Sequence, residues 1–161
     1  MITQGKLKNL LSYNPDSGEF YWNESKNNQL KAGDKAGWIN GEGYINIEIE
    51  GMCYKSHRLA WLYMYGYTPK IIDHINRIRN DNRIINLREC DFSENARNRK
   101  IQINNKSGVS GVHWDSQKRK WKASAKVYGK RIHLGTYANR DEAIQARELF
   151  CRENYGEFNP I

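Results

Sequence analysis

No run of apolar residues in this 161-residue chain approaches the roughly 20 needed to span a bilayer, so a membrane helix is not expected. Met1 to Leu11 also lacks the apolar core of a secretory signal, and an intracellular protein is expected. Cysteine is scarce: Cys53, Cys90 and Cys151 are odd in number and widely spaced, with no Cys-x-x-Cys pair. That pattern argues against a disulfide framework and against structural zinc, and leaves three small core residues in a reducing compartment. Acid is nearly missing from one stretch. Between Arg97 and His133 stand eleven Lys or Arg and one acid, Asp115, so this segment alone more than accounts for the net charge of +8. A locally basic surface of that kind is the footprint of polyanion binding, although solvated basic faces are also common. If about five of these side chains neutralise DNA phosphates, affinity falls by close to three orders of magnitude between 50 and 200 mM salt.

What is present includes a constellation suited to cutting a phosphodiester: Asp73-His74, Asn86 and Asn95. Together they can supply a base, a loop brace and two metal-binding oxygens. A neutral imidazole such as His74 has the unperturbed pKa for taking a proton from water near pH 7. Asp73 offers a hard anionic oxygen, and a carboxylate plus an amide oxygen, completed by water and phosphate, suits Mg²⁺ or Mn²⁺ rather than zinc. Singly, each of these residues is ordinary in turns and caps. Their joint spacing is what points to chemistry.

Local pattern places them on three pieces of backbone. Lys70-Ile71-Ile72 reads as a short buried strand delivering Asp73 and His74, while Ile84, Ile85 and Leu87 read as a second strand carrying Asn86 at its turn. Asp91 and Glu94 form a capping-box signature for a helix with Asn95 in its first turn. Upstream, Gly18 to Trp22 suggests a strand, and Gly43 to Ile49 alternates before a Glu50-Gly51 turn and a further strand through Tyr54, giving a small sheet without evident chemistry. Arg58 to Tyr65 looks helical, with Leu59, Leu62 and Tyr63 inward. His57 is either a packed, hydrogen-bonded histidine or a third ligand or phosphate contact, and stays outside the catalytic set. Arg77, Arg79, Arg83 and Arg88 could hold DNA backbone, or Arg83 and Arg88 could bridge to Asp81 or Glu89.

The run His57-Arg58-Leu59-Ala60-Trp61, Ile72-Asp73-His74-Ile75-Asn76, Asp81-Asn82-Arg83, Asn86-Leu87-Arg88 and Glu94-Asn95 resembles the HNH endonucleases of the phage and intron-homing type. The resemblance implies a ββα-metal core in which Asp73 and Asn95 bind one catalytic metal, His74 is the general base and Asn86 holds the loop that orients it. It also implies 5′-phosphate and 3′-hydroxyl ends. Asn95 stands where many members have His, as in the H-N-N subgroup.

The C-terminal segment gives the basic charge a scaffold. Gly108 to Trp114 reads as one strand, Lys120 to Val127 as a second and Lys130 to Tyr137 as a third after a Tyr128-Gly129 turn. Trp121, Ala123, Ala125 and Val127 alternate with Lys122, Ser124 and Lys126; Ile132 and Leu134 point inward, Arg131 and His133 outward. A helix capped by Asn139 and Glu142 follows, with Ala143, Ile144, Ala146, Leu149 and Phe150 as its apolar set, until Gly156. Gly111-Val112-His113, Lys120-Trp121, Gly129-Lys130-Arg131, Leu134 to Tyr137, Asp141-Glu142-Ala143 and Gly156 to Asn159 resemble the Apetala-type, or ethylene-response-factor, DNA-binding domain. That resemblance implies a sheet lying in the major groove, with His113, Lys122, Ser124, Lys126, Arg131 and His133 as DNA contacts. Arg131 is the guanine reader on the geometry of its fork.

The expected fold class is α+β: a small N-terminal β-sheet and a ββα-metal nuclease core over 1–103, a linker at 104–107, and a three-stranded antiparallel sheet packed on one helix over 108–161. The expected function is a metal-dependent, site-directed DNA endonuclease acting on double-stranded DNA, without membrane or small-molecule cofactor and by default a monomer. A sequence-specific DNA-binding regulator with an inactive nuclease fold is the alternative. RNA binding ranks lower, because the basic sheet lacks an exposed aromatic row for stacking bases.

Overall fold

A computed structural model describes residues 2–25, 30–98, 105–127 and 129–155. Arg99, Lys100, Asn104, Tyr128 of the expected turn, and the closing Gly156 to Asn159 lie outside the described residues, as does the side chain of Arg97. The fold is mixed α/β, with small antiparallel sheets and, among the described residues, four α-helices, and it divides into two compact units, Met1–Asp91 and Phe92–Ile161.

The first unit opens with a helix that the sequence pattern did not suggest, α1 (Gln4–Leu10). Thr3 caps it by accepting from the Lys6 amide at 3.3 Å, and Leu7 is its one buried side chain. A seven-residue helix with one core contact has too little periodicity to stand out. Two strands, β1 (Leu11–Asn14) and β2 (Glu19–Trp22), then pair as a hairpin with Asn14 opposite Glu19. A second sheet follows in the order β3 (Trp38–Ile39), β4 (Ile45–Ile49) and β5 (Met52–Lys55). The α2 helix (Ser56–Tyr65) packs on β4, β5 and α1, and ends where Gly66 adopts φ +80°. Leu7, Leu11, Phe20, Ile47, Ile49, Leu59 and Ala60 form the heart of one core, with Leu62 and Tyr63 partly buried against it.

Beyond α2, β6 (Ile72–His74) pairs with β7 (Leu87–Glu89). One correction concerns the segment between them: Ile84–Asn86, expected as strand, is a single 3₁₀ turn, and strand begins only at Leu87. The Asn86 amide bonds back to the Arg83 carbonyl at 2.9 Å, which closes the turn and leaves Ile85 82% exposed. Two adjacent β-branched residues suggested a ladder that this local bond pre-empts.

In the second unit α3 (Phe92–Arg97) starts directly after Asp91, and the sheet β8 (Val112–Asp115), β9 (Lys120–Val127) and β10 (Lys130–Tyr137) packs on α4 (Arg140–Tyr155). β8 is shorter than expected, because Gly108 and Gly111 take φ of +73° and +86° and break the run before Val112. The expected linker is partly built into this unit: Ser107 is buried, its hydroxyl bonding Asn105 Oδ1, Val109 O and Val112 O. The buried stripe of α4 is Ala143, Arg147, Cys151 and Tyr155 rather than one containing Leu149, which is 56% exposed. Arg147 earns an interior place by donating to the Ser110 carbonyl at 3.1 Å and lying over the Tyr155 ring.

Candidate active site

β6 delivers Asp73 and His74 in sequence, and side chains that follow one another on a strand leave by opposite faces. Asp73 sits opposite Arg88 in the ladder, and Arg88 Nη2 and Nε donate to Asp73 Oδ2 at 2.9 and 3.1 Å. Arg88 thus pairs with Asp73, a partner not foreseen in the sequence, while Glu89 accepts from the Tyr67 hydroxyl. Asp73 and His74 are 7% and 5% exposed, so neither belongs to a solvent-facing turn.

His74 lies in an aromatic and amide enclosure. The His57 ring meets it edge-on at 5.1 Å between centroids, and Tyr44 lies 6.0 Å away. Asn82 Oδ1 stands 3.1 Å from His74 Nε2. An amide oxygen only accepts, so this bond requires the proton on Nε2 and leaves the Nδ1 lone pair as the basic position. Burial also holds the His74 pKa below its ordinary value of 6.5, against the opposing pull of the Asn82 bond, Asp73 and Asp81. At neutral pH the ring is therefore uncharged.

Asn86 bridges the two ends of the loop that follows His74. Its Oδ1 accepts from the Asn76 amide at 3.0 Å, its Nδ2 donates to the Asp81 carbonyl at 2.8 Å, and its own carbonyl accepts from the Ile75 amide at 2.9 Å. Asp81 is clamped in turn by Arg83 at 2.8 and 2.6 Å and by Asn76 at 2.6 Å, and the guanidinium contacts hold its carboxyl at about 2. Arg83 is thus a loop brace in the structure. Arg79 donates to the Glu42 carbonyl and lies over the Tyr44 ring.

His57 is packed, as expected, and its Nδ1 finds no hydrogen-bond partner among the described residues. Burial, followed by the nearby His74, Arg58 and Lys55, lowers its pKa to about 3. Asn82 was the residue whose role the sequence concealed. Asx residues in a loop read as turn formers, and nothing in the run Asp81-Asn82-Arg83 says which amide turns inward.

Asn95 lies in α3, in the second unit. In that unit the sheet register sets His113, Lys122, Ser124, Lys126, Arg131 and His133 on one face, since His113 opposes Lys122, Arg131 opposes Lys126 and His133 opposes Ser124. An irregularity between His133 and Gly135 shifts the alternation, and Thr136 then joins this face opposite Lys122. Ile132, expected inward, is 39% exposed just before that shift. Lys122 is ion-paired with Asp115 at 2.5 Å.

Residues 54–97 match the HNH endonuclease family, a segment running from the end of β5 through α3 and containing Asp73, His74, Asn82, Asn86 and Asn95. Over 108 residues the chain is 30% identical to Protein 3.8 of Escherichia phage T7, an alignment covering 65% of this chain and 87% of that protein. No solved structure matches. An HNH domain suggests nuclease activity on DNA, and HNH nucleases generally use a divalent metal. With its HNH endonuclease domain at residues 54–97, the chain belongs to the same family as Protein 3.8.

Proposed function

We propose that the protein is a metal-dependent DNA endonuclease of the site-directed, homing type, cutting to 5′-phosphate and 3′-hydroxyl ends in the cytoplasm of the host of a phage. The observation that carries this reading is a buried imidazole held by an amide and next in the chain after a carboxylate: His74 Nε2 lies 3.1 Å from Asn82 Oδ1, and His74 follows Asp73 on β6. His74 Nδ1 takes the proton from the attacking water, and burial keeps that atom unprotonated at neutral pH. Asn86, by tying Asn76 to Asp81, holds the loop that returns the chain past His74. Because His74 is only 5% exposed, the scissile phosphate must reach a recessed base rather than a surface one.

Among the described residues no group of three or more His, Cys, Asp or Glu gathers as metal ligands. A single carboxylate, an amide oxygen, water and phosphate make a donor set that fits Mg²⁺ or Mn²⁺, and Asp73 with Asn95 would hold the ion. Once bound, such an ion supplies positive charge to the phosphorane and to the leaving oxygen. The ββα-metal core that the resemblance implies belongs to this reading.

The second unit is read as the element that holds double-stranded DNA, in the manner of an Apetala-type domain over about 108–161. The one-faced set of His113, Lys122, Ser124, Lys126, Arg131 and His133 supports it. Incubation of supercoiled plasmid with Mg²⁺ or Mn²⁺, scoring open-circle against linear product, tests the whole. His74→Ala is expected to abolish cleavage with DNA binding nearly intact, and full cleavage by that variant removes the mechanism. The Arg88 guanidinium on Asp73 favours one other reading, a DNA-binding regulator with an inactive nuclease fold, because a carboxylate already paired needs no ion. It requires binding without strand cutting in any divalent cation.

A further inference from the structure

The loop that carries Asn82 is not held by a ladder, so its position has to come from neighbours. One set is the Asn86 and Arg83 bracing of Asp81 already described. The other is the hairpin of β1 and β2, far away in sequence. Tyr13 donates its hydroxyl to the Asn82 carbonyl at 2.7 Å, a buried bond across 69 residues. The Pro15 carbonyl accepts from the Ile84 amide at 3.2 Å. Gly18, at φ +73°, lies so close that a Cβ there would stand 2.4 Å from both the Arg83 nitrogen and the Asn82 carbonyl carbon. Only glycine permits both that backbone angle and that approach.

The hairpin is itself well fixed. Asn14 Oδ1 accepts from the Asp16 and Ser17 amides, and the Asn14 carbonyl accepts from the Gly18 amide at 2.8 Å. The Tyr13 ring is locked against Phe20 at 4.7 Å and Tyr63 at 5.7 Å. Burial raises the Tyr13 pKa, so its hydroxyl remains a donor throughout the working range. A core tyrosine needs some acceptor, and most backbone carbonyls would serve a merely structural bond. This one belongs to a residue that is 1% exposed and whose side chain touches His74 Nε2.

We propose that the N-terminal hairpin is part of the catalytic apparatus, with Tyr13 a positioning residue that holds the Asn82 backbone so that the Asn82 amide fixes the tautomer and ring orientation of His74. The inference rests on His74 being the base. It gives the N-terminal sheet, silent in the sequence, a task in the reaction.

Tyr13→Phe is the test, because it keeps the ring in its cluster and deletes only the hydroxyl. Two readouts are taken on the full chain: steady-state cleavage of duplex DNA, and the ¹⁵N chemical shifts of the His74 imidazole, which report its tautomer. The expected result is a kcat about tenfold lower with KM unchanged, together with His74 nitrogens moving from a single Nε2–H signature toward a mixture. Asn82→Ala is expected to give the same signature more strongly, and Asn82→Asp, which keeps an acceptor oxygen, to restore the single tautomer. Unchanged His74 signals in Tyr13→Phe overturn the proposal whether or not the protein cuts DNA. A wild-type chain that cuts no DNA overturns the nuclease reading instead, and the imidazole signals still decide whether Tyr13 positions His74. A loss of affinity without loss of kcat also counts against it, since that would place Tyr13 in binding rather than in orientation.

Discussion

Lowering the pH from 8 to 5 is expected to cost the first unit about 2 kcal/mol, and His57 is the reason. In the unfolded chain this imidazole takes a proton as the pH falls through 6.5, whereas burial in the folded unit delays protonation to about 3. Protons therefore favour the unfolded chain across that interval. The stability is complete above 6.5 and drains as the pH falls, by about 1.4 kcal/mol for each pH unit below 6.5. The buried His74, also shifted down, adds loss of the same sign. Asp81 stays out of this window: its lowered pKa of about 2 makes its contribution full above the usual 3.8 and lost only as the pH falls through 2. With two units in the chain a single unfolding curve is ambiguous, so the assay is amide hydrogen exchange at Leu59 and Ala60, which are buried on α2 beside His57. His57→Phe keeps an aromatic ring in the enclosure, removes the unpartnered Nδ1, and is expected to flatten the dependence to the His74 contribution. Undiminished protection of the wild type at pH 5, or an equal loss in His57→Phe, refutes the account.

Arg88→Met removes the guanidinium from a carboxylate that is almost buried, and a loss of roughly 3–5 kcal/mol is expected in chelator, measured by the same exchange at β6. Millimolar Mg²⁺ should recover part of it if Asp73 is a metal ligand; no recovery would count against that role. In the second unit, Arg131→Lys keeps the charge but loses the planar fork, so discrimination between target and random duplex should fall roughly ten- to a hundredfold while non-specific affinity holds. A parallel Lys126→Ala should weaken binding evenly and reduce the salt slope by about 0.9. Equal behaviour of the two variants would dismiss the assignment of base reading to Arg131.

How far the sequence discloses this molecule depends on whether a residue acts through its own pattern or through a distant partner. Strand β9 was legible because Trp121, Ala123, Ala125 and Val127 alternate with polar neighbours, and α4 because Asn139 caps it, accepting from the Asp141 amide at 2.9 Å. The start of α3 at Phe92 also falls where the spacing of Asp91 and Glu94 put it. Where a local hydrogen bond competed with the apolar pattern, the pattern misled: Ile84 and Ile85 read as strand, but the Asn86 amide closes a 3₁₀ turn on Arg83. The irregularity after His133 and the burial of Arg147 could not be read either, since each is decided by what lies across the sheet or under the helix. The same division runs through the candidate site. Asp73 and His74 could be proposed from the sequence because of their joint spacing with Asn86 and Asn95, each being ordinary alone. Asn82 and Tyr13 were invisible because each contributes a common group, an amide oxygen and a hydroxyl, aimed at an atom that only the fold brings near. A reaction needs its base held within a narrow range of angles as well as present, so the residues hardest to find in sequence are those that set the angle.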